Sequence, residues 1–371
     1  NSTDVVPTDL FTAGRGDFRI AEIRVANNGQ AQVRLDSLDV RFYIGGIEVT
    51  DQYDLTPAPD VAGILVPGGA DTLVRMMFAD APGVVATGTV TVESSIWGTD
   101  LNSTETLEAT TEYGGKGSFT VQTPADLVVE RTLASVTGAT AGQERDWIID
   151  AVVRNDGESD LDLNLAATFL TFSTSGDFTY IPPTELVGGG ITLEGGSVDT
   201  LRFTVDVTGS VPGDCSINMT TSGQEINSGT NIGPVNADPA DAASVEIQGA
   251  ASLQVVSVTA LQDPVTIGQA GEWSIDMVVA NSGGSSVSLD LVNADSTAVA
   301  VDGGTGFSFT RPVQLLEGGV SIPAGGSGTL RFVVNTTGTV PSGETLLSGM
   351  VVGTEDNSGA RVYHSITGPA G

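Results

Sequence analysis

The side chains best suited to bind a cation are four carboxylates in one short stretch. Asp156, Glu158, Asp160 and Asp162 alternate with other residues in the sequence NDGESDLDLN. Alternate side chains of a strand project from the same face, and carboxylate oxygens are ligands that Ca²⁺ prefers. The pattern therefore predicts a calcium site, although a solvated acidic face has the same pattern. Calcium is the only cofactor that this sequence suggests.

Histidine and cysteine, the other residues most often used in chemistry, are scarce. The chain has one histidine, His364, and one cysteine, Cys215. A zinc site needs several such ligands, and a Ser-His-Asp triad would depend on a histidine in the last predicted strand, outside any Gly-x-Ser-x-Gly turn. We expect Cys215 to be a small buried residue within a strand. We therefore expect that this protein is not an enzyme.

Four Asn-x-Ser/Thr sequons are candidate sites for N-linked glycans. They begin at Asn1, Asn102, Asn218 and Asn335. A chain so rich in Ser and Thr also contains a few sequons by chance, and they become acceptors only if the chain is exported.

The charge of the chain excludes two classes of partner. Asp and Glu number 46 and Lys and Arg 14, which gives a net charge of −32. Such a polyanion is repelled by nucleic acid and by anionic membrane surfaces, and no apolar run approaches the ~18 residues that a membrane span needs. We expect no nucleic-acid partner and no membrane insertion. The chain begins with Asn1 rather than Met, which indicates a removed leader or a fragment.

Two markers recur along the chain at a nearly constant distance. One is Asn-x-Gly at the end of an alternating apolar run, and the other is an arginine in the strand that follows a Gly-Gly turn. The markers are Asn27, Asn155 and Asn281, and Arg75, Arg202 and Arg331. Spacings of 126 to 129 residues predict three tandem domains, which we place at residues 1–124, 125–249 and 250–371.

Alternating apolar residues predict that each domain is built from strands. Trp147, Ile149, Ala151 and Val153 fall on one face of a strand and Asp150 and Arg154 on the other, and the third repeat has the same pattern from Trp273. A two-residue period places one face of a strand in a core. About seven such strands per repeat predict an all-β chain of three immunoglobulin-like Greek-key β-sandwiches. Because the joints between the repeats are short, we expect an extended row.

Asn-x-Gly itself predicts a corner between two core strands. Asn tolerates a left-handed backbone and Gly adopts it freely, so the motif permits a tight reversal. A ligand site shared by the three repeats is the alternative.

The first domain is a divergent copy. Arg19 stands where the other repeats have Trp147 and Trp273, so we expect its core to be weaker, and NSTDVVPTDLFTAG is short and polar for a first strand. A weak first strand leaves an edge that another chain could complete by strand addition. The alternative is an ordinary strand within the chain.

These motifs carry a resemblance to a known group of domains. The strand that ends in Asn-x-Gly, the Gly-Gly-x-x-Thr-Leu-Arg-Phe strand and the Thr-Gly-x-Val-Pro turn resemble CARDB-type and related Ig-like repeats of prokaryotic cell-surface and extracellular proteins. The resemblance covers the second and third repeats and, more loosely, the first. It implies an extracellular or cell-surface location and a role in adhesion, stalks or assemblies.

The sequence therefore favours a structural subunit of an extracellular filament, sheath or surface layer. The expected partners are copies of the chain itself in a homopolymer, together with other surface proteins or glycans. The alternative is an adhesin stalk or a carbohydrate-binding ectodomain, in which a sugar would stack on exposed rings. Tyr43, Tyr53 and Trp97 are the candidates for those rings.

Overall fold

Strands dominate the fold of this chain, which we describe from a computed structural model. The structure describes residues 3–6, 10–14, 19–55, 61–81, 85–111, 115–174, 176–266, 269, 271–293, 295–303, 305–336 and 342–367. Short 3-10 turns are the only helical elements in these ranges. The prediction of an all-β chain of immunoglobulin-like sandwiches is confirmed.

The first sandwich packs a four-stranded sheet against a seven-stranded one. Its strands are β1 (Thr3–Val6), β2 (Leu10–Thr12), β3 (Arg19–Ala26), β4 (Val33–Ile44), β5 (Ile47–Glu48), β6 (Tyr53–Leu55), β7 (Leu65–Val66), β8 (Asp71–Asp80), β9 (Gly88–Asp100), β10 (Thr106–Thr110) and β11 (Gly117–Gln122). The sheets have the orders β1-β3-β8-β6 and β2-β11-β9-β4-β5, with β10 on β9 and β7 on β4. The short β1 pairs with β3 of the same chain, and strand addition by another chain stays a prediction.

The second sandwich repeats this arrangement. Its strands are β12 (Leu127–Ala134), β13 (Gly138–Thr140), β14 (Trp147–Asn155), β15 (Leu161–Leu163), β16 (Phe169–Phe172), β17 (Thr179–Ile181), β18 (Thr192–Leu193), β19 (Val198–Val207), β20 (Gly213–Glu225), β21 (Asn231–Asn236) and β22 (Ala243–Gln248). The sheets have the orders β12-β14-β19-β17 and β13-β22-β20-β15-β18, with β16 and β21 on β20.

The third sandwich keeps the four-stranded sheet, but its second sheet has five strands among the described residues. The strands are β23 (Leu253–Ala260), β24 (Trp273–Asn281), β25 (Val287–Leu289), β26 (Ala298–Val301), β27 (Phe307–Thr310), β28 (Ser321–Ile322), β29 (Ser327–Thr336), β30 (Leu347–Glu355) and β31 (Arg361–Thr367). The sheets have the orders β23-β24-β29-β27 and β26-β30-β25-β28, with β31 on β30. Counterparts of β13 and β22 do not occur in the described part of this domain.

Each sandwich has its own apolar core, which follows the alternation in the sequence. Trp147, Ile149, Ala151 and Val153 of β14 are all buried, and β24 buries its equivalent residues from Trp273 onwards. Burying a large apolar side chain contributes about 1.5–3 kcal/mol. The buried residues form one cluster per domain.

The repeated arginines lie on the outer face of the four-stranded sheets, opposite acidic residues of the neighbouring strand. The pairs are Arg75–Glu22, Arg202–Asp150 and Arg331–Asp276. Arg202 donates two hydrogen bonds to Asp150, at 2.7 and 2.8 Å, which raises the pKa of the guanidinium. Exposed pairs of this kind stabilise a fold by about 0–1 kcal/mol, so they help mainly to define the strand register.

Aromatic rings fill the core of the first domain. Phe11, Phe42, Tyr53, Phe78 and Phe119 are buried, and their neighbouring ring centroids lie 4.6 to 6.2 Å apart. Aromatic pairs at these separations add about 0.5–1.5 kcal/mol each beyond the burial of their area. The first domain has this aromatic cluster although it lacks a counterpart of Trp147 and Trp273, and its weaker core stays a prediction.

Candidate functional site

The Asn-x-Gly motif of the second domain lies where the first domain joins it. Asn155 ends β14 and is fully buried. Its Oδ1 accepts hydrogen bonds from the N–H groups of Gly157 and Asp126, at 3.1 and 3.0 Å. Its Nδ2 donates to the carbonyl oxygens of Ser159 and Leu193, at 2.8 and 3.3 Å. One side-chain amide therefore holds both the turn that follows β14 and the segment at Asp126 that leads from the first domain into β12.

Asn281 repeats this arrangement in the third domain. It is fully buried, and its Oδ1 accepts from the N–H groups of Gly283 and Ser252, both at 3.1 Å. Its Nδ2 donates to the carbonyl oxygen of Ser285 at 2.8 Å. Ser252 belongs to the segment that enters from the second domain, as Asp126 does at the first joint. The motif is thus a structural corner, as predicted, and it is also part of a domain joint.

The glycine of the motif has a different role from the one predicted. Gly157 and Gly283 are not among the glycines with a left-handed backbone. A Cβ atom on Gly157 would lie 1.9 Å from the carbonyl oxygen of Pro124, and one on Gly283 would lie 2.2 Å from that of Ala250. Only glycine fits at these positions because the linker from the preceding domain passes directly over it.

This close approach predicts that Gly157→Ala loosens the first joint. The added methyl group has to displace the linker, and overpacking of this kind costs about 1–3 kcal/mol. We expect faster hydrogen exchange at the amide of Asp126, measured by NMR or mass spectrometry. Gly29→Ala is the matched control, because a Cβ there meets, among the described residues, only Asn27 Oδ1 at 3.3 Å. Equal effects of G157A and G29A on their own domains would contradict this role for Gly157.

A buried glutamate lies at the centre of each joint. Glu225 at the end of β20 is 0% exposed, and Glu355 at the end of β30 is 2% exposed. Oε1 of Glu225 accepts from the N–H of Ala125 at 2.8 Å, and Oε1 of Glu355 accepts from the N–H of Ala251 at 2.9 Å. Burying a carboxylate lowers the stability of a fold unless the carboxylate is hydrogen-bonded. The linker backbone therefore satisfies a group that would otherwise destabilise the domain.

Hydroxyl groups extend this network across each joint. Thr140 Oγ1 of the second domain donates to Oε1 of Glu355 at 2.9 Å, and Ser358 also donates to this carboxylate. At the first joint, Thr12 Oγ1 donates to Ser159 Oγ at 3.3 Å. Thr12 and Thr140 end the equivalent strands β2 and β13, so the two joints use the same strand for this contact.

An Asn–Gln pair also crosses each joint. Asn227 Nδ2 donates to Gln122 Oε1, and Asn357 Nδ2 donates to Gln248 Oε1, both at 2.8 Å. The glutamines end β11 and β22, the last strands of the first and second domains. At the second joint, Arg145 Nη1 adds a hydrogen bond to the carbonyl oxygen of Asn357 at 3.1 Å. The glutamate–linker bond and the Asn–Gln bond therefore recur at both joints, whereas the equivalent threonines bond to different partners.

The four predicted calcium ligands are held by separate groups of the protein. Asp156, Glu158, Asp160 and Asp162 do not converge on one point. Their partners are, in that order, the guanidinium of Arg154, the N–H of Thr123, the N–H of Gly195 and the hydroxyl of Thr192. Within the described ranges, no group of three or more His, Cys, Asp and Glu residues is placed to hold a metal ion. Calcium binding stays a prediction, and Glu158 instead contributes to the first joint.

The predicted glycosylation sites differ in their surroundings. Asn102 is exposed in the loop after β9. Asn218 is half-buried, and its Nδ2 donates to the carbonyl oxygen of Ala237 at 2.9 Å, while Asn335 is half-buried in β29. Asn1 lies outside the described residues. Of these positions, Asn102 is the described one with the most open side chain, and glycosylation stays a prediction.

The lone histidine and the lone cysteine have structural surroundings. His364 Nδ1 accepts a hydrogen bond from the N–H of Val255 at 3.1 Å, which ties β31 to β23. Cys215 is fully buried in β20 and is a free thiol, so its predicted burial is confirmed.

The three rings that could stack on a sugar do not form one open surface. Tyr53 is buried in the first core, so it is not a candidate. Trp97 lies within β9, and it is half-buried opposite Ser37. Tyr43 is half-buried elsewhere on β4. Among the described residues, the most exposed ring is one that the sequence did not single out, Tyr363, at 71%.

The joint residues Glu225, Asn227, Glu355 and Asn357 were missed at the sequence level. The signal that could have found them is the repeat of Glu-x-Asn-Ser-Gly, as EINSG from Glu225 and EDNSG from Glu355. Among 46 acidic residues, neither glutamate stands out by type, so only the repeated context identifies them.

Comparison with known proteins does not assign a family. No family model matches the chain, and no curated protein matches it. Solved structures of low similarity include titin domains A168–A170 (11% identity, 99% of this chain and 97% of that chain, TM-score 0.27). A protein of unknown function from Porphyromonas gingivalis W83 has 12% identity over 66% of this chain and 94% of its own, with a TM-score of 0.22. These values are too low to transfer a function.

Proposed function

We propose that this chain is a structural subunit of an extracellular assembly, a filament, sheath or surface layer that is built by packing Ig-like domains. The observation that carries the proposal is the recurrence of one polar, buried joint at both domain boundaries. A joint of this kind positions one domain against the next, and a regular assembly depends on such positioning.

The energetics of the joints support this role. Bending at the first joint would break the bond of Asn227 to Gln122. Bending at the second would break the bonds of Glu355 to Thr140 and of Asn357 to Gln248. Each hydrogen bond contributes about 0.5–1.5 kcal/mol net, and an unsatisfied buried partner costs about 1–3 kcal/mol. Several such bonds per joint favour one relative orientation of the two neighbouring domains over the many that a flexible linker would allow. A flexible tether would need none of them.

Exposed apolar side chains support contacts with other copies. Val292 and Val313 are 92% and 83% exposed. They flank a hydrogen bond at 2.6 Å between Arg311 Nη1 and the carbonyl oxygen of Asn293, so they belong to neighbouring loops of the third domain. Burying such residues against a second copy would be favourable by about 25 cal/mol per Å² of apolar surface.

The charge supports an assembly outside the cell. A net charge of −32 opposes close packing of copies unless cations screen it. The screening length falls from about 10 Å at 0.1 M salt to about 3 Å at 1 M. In the described part of the chain, none of the helical segments has the length and apolarity of a membrane span. We place the assembly at the cell surface or in the extracellular medium.

The salt dependence of light scattering tests this proposal. We expect the mean particle mass to rise as salt is raised from about 0.1 M to 1 M, because screening lowers the repulsion between copies. A sucrose series of equal osmolality is the control, since it changes hydration without screening charge. A monomer of constant mass over the whole salt series would contradict the assembly.

A further inference from the structure

The second and third domains carry an equivalent segment at one edge of the four-stranded sheet. It follows β17 as residues 182–191 and β27 as residues 311–320. In both, the N–H of a buried leucine donates to the carbonyl oxygen four residues later, at 2.8 Å for Leu186 and 2.9 Å for Leu315. The next residue donates its N–H to β19 in one domain and to β29 in the other, at 2.9 Å in each. The two segments therefore have matching backbones.

The side chains on these matching backbones differ in a complementary way. The segments read PPTELVGGGI in the second domain and RPVQLLEGGV in the third. Val313 stands where the second domain has Thr184, and Arg311 takes the place of the first proline. Glu185 of the second domain is matched by a glutamine in the third. The third-domain segment thus carries an extra apolar group and a cation, and the second-domain segment carries an anion.

Val313 projects from the third-domain segment as an apolar knob. It is 83% exposed, so the chain's own groups leave it almost uncovered. Arg311, two residues earlier, is held by the hydrogen bond from its Nη1 to the carbonyl oxygen of Asn293. Among the described residues no carboxylate pairs with Arg311, although the chain has 46 acidic residues and 14 basic ones. A guanidinium has five N–H donors, so this cation can still pair with an acidic group of another molecule.

The second-domain segment borders a groove of about 360 Å³. Arg202 also borders it, but two hydrogen bonds to Asp150 hold that guanidinium within the sheet. Glu185 lies in the lining as well, and no described residue pairs with its carboxylate. The groove therefore combines apolar walls with one available negative charge. Its apolar lining consists of Ile181, Pro182, Pro183, Leu186 and Val187.

A second copy of this chain complements the groove in both apolar character and charge. The branched side chain of Val313 suits a groove lined by proline, isoleucine and valine, and Arg311 is opposite in charge to Glu185. The exposure of Val313 shows that it does not fill the groove of its own chain. Two chains with a net charge of −32 repel each other, so a contact between them needs an apolar surface and a cation. The third-domain segment supplies both.

We propose that Val313 of one copy inserts into the second-domain groove of another copy, with Arg311 placed against Glu185. The inference rests on the proposed function and names the surfaces through which the copies meet. Knob and groove are different surfaces, so the contact is heterologous, and each bound copy keeps one of the two surfaces for a further copy. Heterologous contacts build open filaments unless their rotation closes a ring. A single kind of contact is therefore enough to build a filament.

Val313→Asp tests the knob in the full chain. A carboxylate in an apolar groove beside Glu185 is unfavourable, so we expect the protein concentration for half-maximal light scattering to rise at least about tenfold at fixed salt. Val256→Asp is the matched control, because Val256 is 47% exposed on β23, at the opposite edge of the same sheet. V256D adds the same charge and should associate as the unmodified chain does. If V313D associates as V256D does, the proposal fails.

A charge exchange tests the pairing of Arg311 with Glu185. R311E and E185R should each weaken association, because like charges then meet at every contact. In an equal mixture of the two variants, each contact between unlike chains joins opposite charges, so association should recover. Recovery on mixing also shows that both variants are folded. Two weakened variants that do not recover on mixing would overturn the placement of the knob in this groove.

Cysteine cross-linking detects the contact even where no large assembly forms. With an added oxidant, a mixture of V313C and V187C chains should give a disulfide-linked pair, whereas V256C and V187C should not. The native Cys215 is fully buried and should not react. If the specific pair forms but the particle mass stops at two copies, the contact stands and the proposed function fails. If the mass grows with salt but no specific pair forms, the contact is wrong and the proposed function stands.

Discussion

Replacing Glu355 with alanine is expected to loosen the third domain from the second. In E355A the N–H of Ala251 and the hydroxyl of Thr140 lose the acceptor that they share. An unsatisfied buried donor costs about 1–3 kcal/mol, so we expect the free energy of unfolding of the third domain to fall by about 2–4 kcal/mol. The amide of Ala251 should also exchange faster with deuterated solvent. Hydrogen exchange followed by mass spectrometry measures both effects in the intact chain.

Asp100→Ala is the matched control for E355A. Asp100 ends β9, the strand equivalent to β30, but its Oδ1 accepts from the N–H groups of Asn102 and Ser103 in its own loop. D100A should therefore leave exchange at Ala251 unchanged. Glu355→Gln should have an intermediate effect, because an amide keeps one acceptor oxygen but replaces the other with a donor. Unchanged exchange at Ala251 in E355A would show that the glutamate does not hold the joint.

Replacing Asn281 with alanine is expected to have an effect of similar size on a different part of the same joint. The side chain is fully buried and bonds to Gly283, Ser252 and Ser285. In N281A these backbone groups lose their partner, and we expect a loss of about 2–4 kcal/mol in the stability of the third domain. Guanidinium unfolding, followed by the fluorescence of the buried Trp273, measures this loss, and exchange at Ser252 reports on the linker.

Two further variants separate the roles of the Asn281 amide. Asn281→Asp keeps an oxygen for Ser252 and Gly283 but loses the donor to Ser285, so it should preserve the linker better than the corner. Ser282→Ala is the control within the motif, because Ser282 is exposed and its hydroxyl makes a single long bond of 3.4 Å to Ser252. If S282A were as damaging as N281A, the buried amide would not be the group that matters.

Alternation and repetition made much of the fold readable from the sequence. The run from Trp147 to Val153 faces the core because a strand has a two-residue period. Arg202 and Arg331 recur with Asp150 and Asp276 because each pair faces across neighbouring strands. These are local consequences of the backbone, so one sequence is enough to predict them.

The role of Gly157 could not be predicted in the same way. A left-handed backbone is the common reason for glycine after asparagine. Here the reason is the carbonyl oxygen of Pro124, which belongs to the linker and comes close only when two domains meet. Contacts of this kind depend on the placement of a domain, which local patterns do not contain.

The joint glutamates were missed for a related reason. Glu225 and Glu355 are buried because a linker covers them, whereas acidic residues are mostly exposed. Their role at the joints depends on the linker that lies beside them.

The most direct test of the central claim is electron microscopy of the purified chain over the same salt series. We expect filaments or sheets that lengthen with salt and whose repeating unit contains three sandwiches held by intact joints. E355A should form shorter or irregular assemblies. Separate single chains at every salt concentration, with E355A indistinguishable from the unmodified protein, would contradict it.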